Sequence, residues 1–417
     1  YFRNNWYICK LITHWSMLID FTVENFLSIR ERQTLTFMAD KNISHLEEYY
    51  VENVAGIRLL KVGLILGANA SGKSNVLKAL EYLRELMLNP KSSKSESTGC
   101  IPFLLDNESQ GRNTVFEINF IVGERTYYYR IELNDKYVVS EALKTSHTGK
   151  TILSRTTDPS TQLSTVKCGN EFPMKKEYLS ALNLNTLSNN TIIGGYLKTN
   201  IDSKELRDVH QWFSTYLHRL IMPSDNLTAY VSKKIYNGCI DKDTIIPMLQ
   251  QADFNVSNLS ITKVGSESYD IRLNHNGKSL PFPLESIGTQ RYLGLACLLF
   301  LLVKSPNCYM IDELDESLHP DLYIHLLLSF CVNAHGSQLI ATTHNRELLN
   351  NKDLFRNDII HITDRDDDSA TQLYRLSDFG TSVIRDTSNI LNAYKAGRLG
   401  GIPNLGDYYI NINNDEA

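Results

Sequence analysis

The sequence is poor in the features that mark a disulfide-built, membrane-spanning or fibrous protein. Its seven cysteines are scattered at 9, 100, 168, 239, 297, 308 and 331, with no C-x-x-C pair. That argues against a disulfide framework or a cysteine zinc site; Cys297 and Cys308, inside apolar runs, read as small core residues of a reducing compartment. No apolar stretch reaches the roughly eighteen residues a membrane span needs, and Leu293 to Val303 is too short. No heptad pattern is sustained, so no long coiled coil is expected. Positive charge is not in excess: 42 Lys and Arg against 47 Asp and Glu leave a net charge of -5. Any nucleic-acid contact would need a local patch. Residues 1–16 lack a signal-peptide apolar core and cleavage site. They are expected to be an extension ahead of the fold, with a partner-binding arm as the alternative. A cytosolic protein is the expectation.

What is present is ordinary globular composition, 42% hydrophobic and 21% charged over 417 residues. That length suits two domains, or one large α/β domain with an insertion. The most informative stretch is Leu64-Ile65-Leu66-Gly67-Ala68-Asn69-Ala70-Ser71-Gly72-Lys73-Ser74. An apolar run that reads as a buried strand is followed by G-x-x-x-x-G-K-S and then by a helical pattern, Asn75 to Leu88. This is a phosphate-binding P-loop in its strand–loop–helix setting. Glycines at Gly67 and Gly72 let successive backbone N–H groups of Asn69, Ala70, Ser71 and their neighbours point at phosphates. Lys73 supplies a positive charge to the β/γ-phosphates, and the Ser74 hydroxyl can ligate magnesium. The helix N-terminus at Ser74 and Asn75 adds its partial positive charge. The expected ligands are ATP and Mg2+.

Upstream, Leu18 to Phe26 and Gln33 to Phe37 read as two strands before the P-loop strand. Downstream, Asn89 to Thr98 is a polar, Ser-rich loop. Thr114–Val122 and Arg125–Leu133, joined by Gly123-Glu124, form a hairpin, and Val138–Thr145 and Thr151–Ser154 continue it. The alternation Tyr127/Tyr129/Ile131 fits packing in a half-buried sheet, or a base-stacking platform. Between about 170 and 255, Leu179–Leu187, Lys204–Leu220 and Asp241–Ala252 carry helical spacing and read as an insertion. Lys175-Lys176 and Lys233-Lys234 are solvated surface or a small basic patch. Strands resume at Leu259–Thr262 and Tyr269–Leu273.

The second half of the chemistry follows. Asn307-Cys308-Tyr309-Met310-Ile311-Asp312-Glu313 is an apolar strand ending in paired carboxylates. Asp312 can hold magnesium opposite Ser74, and Glu313 can orient or deprotonate the attacking water. Ser337 to His344 is another buried strand, and His344 at its end can reach the γ-phosphate or its water. Before these, Ser286-Ile287-Gly288-Thr289-Gln290 opens an apolar helix, Tyr292 to Val303. Ser286, Gly288, Thr289 and Gln290 would make a second anion site at a helix start. One nucleotide has no use for two cradles, whereas two molecules head to tail would each offer this turn to the other's ATP.

The order P-loop, Ser-x-Gly-Thr-Gln, hydrophobic-Asp-Glu and strand-His resembles the heads of ABC-class ATPases, in the branch of SMC, RecF and OLD-type proteins. Asp312 to Pro320 resembles the Asp-Glu-(x)n-Leu-His-Pro segment of OLD-like heads, and Asn25 to Arg30 their Asn-Phe-x-Ser start. Tyr394 to Pro403 looks like the tail of a compact bacterial group that includes RloA-type and PARIS-type (AriA) anti-phage defence ATPases. The likeness implies that Ser286–Gln290 act in trans in a homodimer or higher oligomer, with Asp315 to Ser317 at the seam. It also implies a separate effector, a nuclease, under the control of an ATP switch; a RecF-like DNA-repair ATPase gated by ATP is the alternative, and a transporter subunit a distant third. The signature lacks the Gly-Gly-Gln of transporters, and no Q-loop glutamine is identifiable near Ile101-Pro102-Phe103. After His344 no Toprim nuclease pattern follows, and Asp364-Arg365-Asp366-Asp367-Asp368 reads as a hairpin tip between Ile359–Thr363 and Ala370–Leu376.

The expected fold is therefore an α/β ABC-ATPase head: a mostly parallel core sheet, an antiparallel β-subdomain drawn from about 17–60 and 114–154, and a helical insertion. The expected divisions are an extension at 1–16, lobe I at 17–165, a helical lid at 166–255 and lobe II at 256–417. Lys73, Glu313 and His344 are the expected catalytic residues.

Overall fold

All six residues of the P-loop strand, Val62 to Gly67, are buried. A strand with no exposed face needs cover on both sides and partners on both edges, which is the situation of a parallel sheet. The computed structural model describes residues 15–265, 268–379 and 390–403, and it provides both.

Strands β1 (Ser16–Glu24), β2 (Gln33–Thr36), β3 (Val51–Val54) and β4 (Ile57–Leu60) precede the P-loop strand, β5 (Val62–Gly67). The sequence leads one to expect two strands here; the β3–β4 hairpin is additional, its four-residue arms too short to show a period. Then β6 (Thr114–Val122), β7 (Arg125–Leu133), β8 (Val138–Thr145), β9 (Thr151–Thr157) and β10 (Ser164–Cys168) run as a meander. With β1 and β2 they form one sheet in the order β10-β9-β8-β7-β6-β1-β2. The expected hairpin is present, paired from Thr114↔Leu133 to Val122↔Arg125. Tyr127 and Tyr129 are 0% and 1% exposed, so their alternation is packing and offers bases no platform. This sheet extends past the expected residue 154 to Cys168, while β3–β4 form a separate two-stranded sheet.

Strands β11 (Asn258–Lys263), β12 (Tyr269–His275) and β13 (Lys278–Pro281) make a small sheet ahead of the helix Ile287–Lys304. Four further strands, β14 (Cys308–Ile311), β15 (Gln338–Thr343), β16 (Ile360–Arg365) and β17 (Thr371–Arg375), join β5 in the order β14-β15-β5-β16-β17. The pairs β14–β15, β15–β5 and β5–β16 are parallel, and β16–β17 is antiparallel. The core is thus a mostly parallel α/β sheet with an antiparallel edge.

The stretch 170–255 is helical, with Lys176–Asn185, Ile192–Leu197, Lys204–Gln211, a π-helical turn at Trp212–Tyr216, Leu227–Tyr236 and Lys242–Gln251. It also reaches the core sheet, since Leu217 and Ile221 form parallel bridges with Cys308 and Ile311 beside β14. The helix Ile287–Lys304 is longer than its apolar run suggested. At 18 residues and mean hydropathy 1.3 it is long and apolar enough to cross a membrane, and 61% of it is buried inside the protein. It packs on Leu227–Tyr236 and Lys242–Gln251. At the start of the chain, residues 1–14 lie outside the described residues. Trp15 and Ser16, expected to be part of the extension, belong to the sheet: Ser16 begins β1, and Gly123 N donates to Trp15 O at 2.7 Å.

A buried charge pair fastens the helical stretch to the antiparallel sheet. Arg155 lies 3.3 Å from Glu141, and both side chains are 0% exposed. Glu141 also accepts from Tyr129 OH and from Ile192 N, and Arg155 donates to the carbonyls of Leu187 and Ser188. Breaking such a pair leaves an uncompensated charge in low dielectric. Glu141→Ala should therefore cost about 3–5 kcal/mol, read as a lower urea midpoint. Replacing both partners by Leu and Met should recover much of that loss, and a single variant as stable as the parent would contradict this account.

Candidate nucleotide site

The carboxyl ends of β14, β15 and β5 lie side by side, since Ile311 pairs with Ala341 and Thr343 with Leu66. In open α/β sheets ligands gather at this edge. The turn leaving β5 uses backbone conformations that L-residues seldom adopt, with φ 62° at Ala70 and 98° at Gly72. Gly72 has a second reason to be glycine, because a Cβ there would overlap Thr371 Oγ1. Asn69 and Ala70 are exposed at the tip of the turn, whereas Ser71 is buried.

The helix Lys73–Leu88 starts directly from this turn. Lys73 is 6% exposed, and its Nζ donates to the carbonyls of Gly67 at 3.0 Å and Ala68 at 2.9 Å. Burial holds its pKa below the usual lysine value, while Asp312, Glu313 and Asp315 oppose the shift. Ser74 Oγ donates to Asp312 Oδ1 at 3.0 Å. Thr342 Oγ1 donates to the same oxygen at 2.6 Å and accepts from Glu313 N at 2.8 Å. Glu313 takes φ 50°, which ends the strand, and its Oε1 lies 3.9 Å from His344 Nε2. The Glu313 and His344 side chains remain 40% and 39% exposed, open to a substrate. His344 N donates to both carboxylate oxygens of Asp315, at 3.3 and 3.2 Å. Burial, and next the Lys73 cation, hold the His344 pKa below the usual histidine value, against the pull of the nearby carboxylates.

Lys73, Ser74, Asp312, Glu313 and His344 are thus brought to one place. Asn75 faces another way, its Nδ2 donating to Ser28 Oγ at 2.7 Å. The second anion turn stands apart. Ser286 caps its helix, accepting from Thr289 N at 3.0 Å, and its Oγ lies 2.8 Å from Thr289 Oγ1. Gln290 Nε2 donates to Glu285 O at 2.9 Å. Among the described residues, the side-chain hydrogen bonds of Ser286, Thr289 and Gln290 stay within this turn, and neither these nor the hydrogen bonds of Gly288 reach Gly67–Asn75. Links to the carboxylate segment are made nearby: a Cβ on Gly288 would meet Ser317 O at 3.1 Å, and Arg291 donates to Glu313 O at 3.2 Å. Leu284 and Ile287, flanking the turn, are 68% and 73% exposed.

Sequence reasoning missed Thr342, Thr363, Thr371 and Ser28. Each is a hydroxyl in or beside a strand, where threonine is ordinary. The one local cue was the doubled Thr342-Thr343 before His344.

The oxygen pair Ser74 Oγ and Asp312 Oδ1 is a fit for magnesium, a hard cation that takes few protein oxygens and completes its shell with phosphate and water. A buried lysine beside an open turn of backbone N–H groups fits a polyphosphate.

Residues 64–350 match the protein family described as "AAA domain, putative AbiEii toxin, Type IV TA system". An "ATP/GTP phosphatase" of Helicobacter pylori is 26% identical over 313 residues, 69% of this chain and 80% of that protein. Among solved structures, the SMC head domain from Thermotoga maritima is 14% identical over 86% of this chain and 98% of that one, with a TM-score of 0.40. An Smc head bound to the C-winged helix domain of ScpA is 12% identical over 85% and 96%, with a TM-score of 0.45.

The electrostatics can be checked directly. In a histidine NMR titration, His344 should titrate below the ordinary value of 6.5. Lys73→Met, which removes the cation that disfavours imidazolium, should raise that midpoint. A midpoint unmoved by Lys73→Met would show that the two side chains do not feel each other.

Proposed function

The chain belongs to this AAA-domain family, and we propose that it is an ATP-hydrolysing switch that pairs head to tail on nucleotide and serves as sensor or scaffold of an anti-phage system. In this reading it controls a separate effector, a nuclease. The observation that carries the ATPase is the meeting of Ser74 and Thr342 on one oxygen of Asp312, with Glu313 and His344 open beside it.

The residues divide the work as follows. The turn Gly67–Gly72 and the start of the helix at Lys73–Asn75 hold the triphosphate through backbone N–H groups. Lys73 places its charge at the β/γ-phosphates. Ser74 and Asp312 would hold magnesium, which when bound neutralises charge on the phosphate oxygens. Glu313 orients the attacking water and takes its proton. The imidazole of His344 can donate a hydrogen bond to the γ-phosphate or its water. The similarity to a protein named an ATP/GTP phosphatase supports hydrolysis.

The dimer rests on the second anion turn. The side chains of Ser286, Thr289 and Gln290 bond within the turn and not to the P-loop, and the exposed Leu284 and Ile287 beside it support burial against a second copy. The defence role rests on the likeness of Tyr394–Pro403 to the tail of compact defence ATPases, beside the likeness of Asp312–Pro320 to OLD-like heads.

Glu313→Gln should keep ATP binding and slow turnover by about 100-fold or more; unchanged turnover would remove Glu313 from the base role. Lys73→Ala should abolish function in cells. The native mass of the Glu313→Gln protein should rise to a dimer or larger even assembly with ATP and magnesium, and a mass that stays monomeric would sink the head-to-tail reading. Capture of a co-encoded protein that depends on ATP would support the effector role. Salt-sensitive DNA binding by the ATP-bound protein alone would favour a repair clamp instead.

A further inference from the structure

The acidic run Asp364–Asp368 reads from sequence as no more than a hairpin tip. In the fold, the hairpin that carries it lies along the outer side of the P-loop and touches successive residues of it. Thr363 Oγ1 lies 2.6 Å from Ser71 Oγ, and its own backbone and hydroxyl occupy the space a Cβ on Gly67 would need. Arg365 Nε donates to the Ala70 carbonyl. Thr371 Oγ1 sits where a Cβ on Gly72 would be. Thr371 also donates its N–H to Ser28 O at 2.7 Å, and its hydroxyl lies 2.7 Å from Ser28 Oγ, which in turn accepts from Asn75.

We propose that the β16–β17 hairpin is a clamp that keeps the P-loop in its nucleotide-binding shape, with Thr363 and Thr371 as positioning residues. The inference rests on the nucleotide reading above. Its physical basis is that a loop with left-handed residues at Ala70 and Gly72 is not a shape a free chain keeps. Backbone N–H groups converge on phosphates only if the loop's carbonyls and side chains are satisfied elsewhere. Lys73 serves the carbonyls of Gly67 and Ala68; the hairpin serves Ala70 and Ser71 from outside.

The hairpin has anchors of its own. Arg30 reaches Asp366 at 2.9 Å and Asp368 at 2.8 Å, which gives the acidic run its part: it fixes the hairpin tip to the turn after β1. Asp368 is 69% exposed, so its ion pair is a weak support. The stronger holds are buried. Thr363 and Thr371 are 0% and 1% exposed, and Leu373 N donates to Gln33 Oε1 at 2.8 Å.

The test is binding of a fluorescent ATP analogue with magnesium to wild type, Thr363→Val, Thr363→Ser and Thr371→Val, each with its melting temperature. The two valine variants keep side-chain volume and lose the hydroxyl. They should raise Kd about threefold to tenfold, the range of one lost hydrogen bond, while Thr363→Ser binds like wild type. Coupling is reciprocal, so ATP should slow amide exchange of the wild-type protein across residues 360–375, a measurement that needs no variant to fold. Valine variants that melt earlier but bind with wild-type Kd would reduce these threonines to packing and overturn the clamp. So would exchange in the hairpin that ATP leaves unchanged. Failure of the wild type itself to bind would overturn the nucleotide reading, and the clamp with it.

Discussion

One buried oxygen, Oδ1 of Asp312, joins parts of the chain that are far apart in sequence. Asp312 is 3% exposed. Ser74 brings the P-loop helix to this oxygen and Thr342 brings β15. The backbone N–H of Asp312 donates to Ile221 O, which adds the helical stretch as a further anchor. Hydrogen bonds to an ionised carboxylate are among the strong ones, and an unpaired buried carboxylate is costly. The register of β14, β15 and β5 is what lets both hydroxyls reach it. A slip of one residue in β14 or β15 would turn Asp312 or Thr342 to the opposite face of the sheet.

Much of this was legible in the sequence because the motifs have fixed spacing and sit at strand ends. Lys73, Ser74, Asp312, Glu313 and His344 were readable one by one, and so were the strands that carry them. The β6–β7 hairpin was readable from its strict alternation. What was not legible depends on who meets whom in space. Nothing local marks Thr342 as a support for Asp312, or Thr363 and Thr371 as neighbours of the P-loop, because threonine in a strand is unremarkable. The β3–β4 hairpin has arms of four residues, too short for a period to show. The reach of Leu217–Ile221 to β14 was hidden for a similar reason, being an edge contact made by a segment with no strand pattern. Trp15 and Ser16 carry no pattern that separates them from the residues before them, although Ser16 opens β1 and Trp15 is tied to Gly123.

Ser286–Gln290 and the P-loop illustrate two ways for a helix start to handle its free N–H groups. In the first, Ser286 satisfies its own helix and the polar groups close on one another. In the second, the helix begins at Gly72 with no side-chain cap, and the lysine that follows turns back to the loop's carbonyls. An uncapped start leaves donors for a ligand. The segment Glu313–Ser317 is bonded through Arg291 on one side and through Asp315 to His344 on the other.

The position of β5 bears on how the molecule is made. It is the third strand of its sheet, flanked by β15 and β16, which follow it only late in the chain. On a ribosome the antiparallel meander can close by local hairpins while β5, apolar on every face, has no neighbour on either edge. Its unpaired edges would be exposed through most of synthesis, a hazard for misassociation. The shape of the P-loop is then among the last things the nascent chain acquires, since Thr363 and Thr371 must arrive before the turn can settle. A chain cut short before them would emerge with its phosphate motif intact and no means of using it.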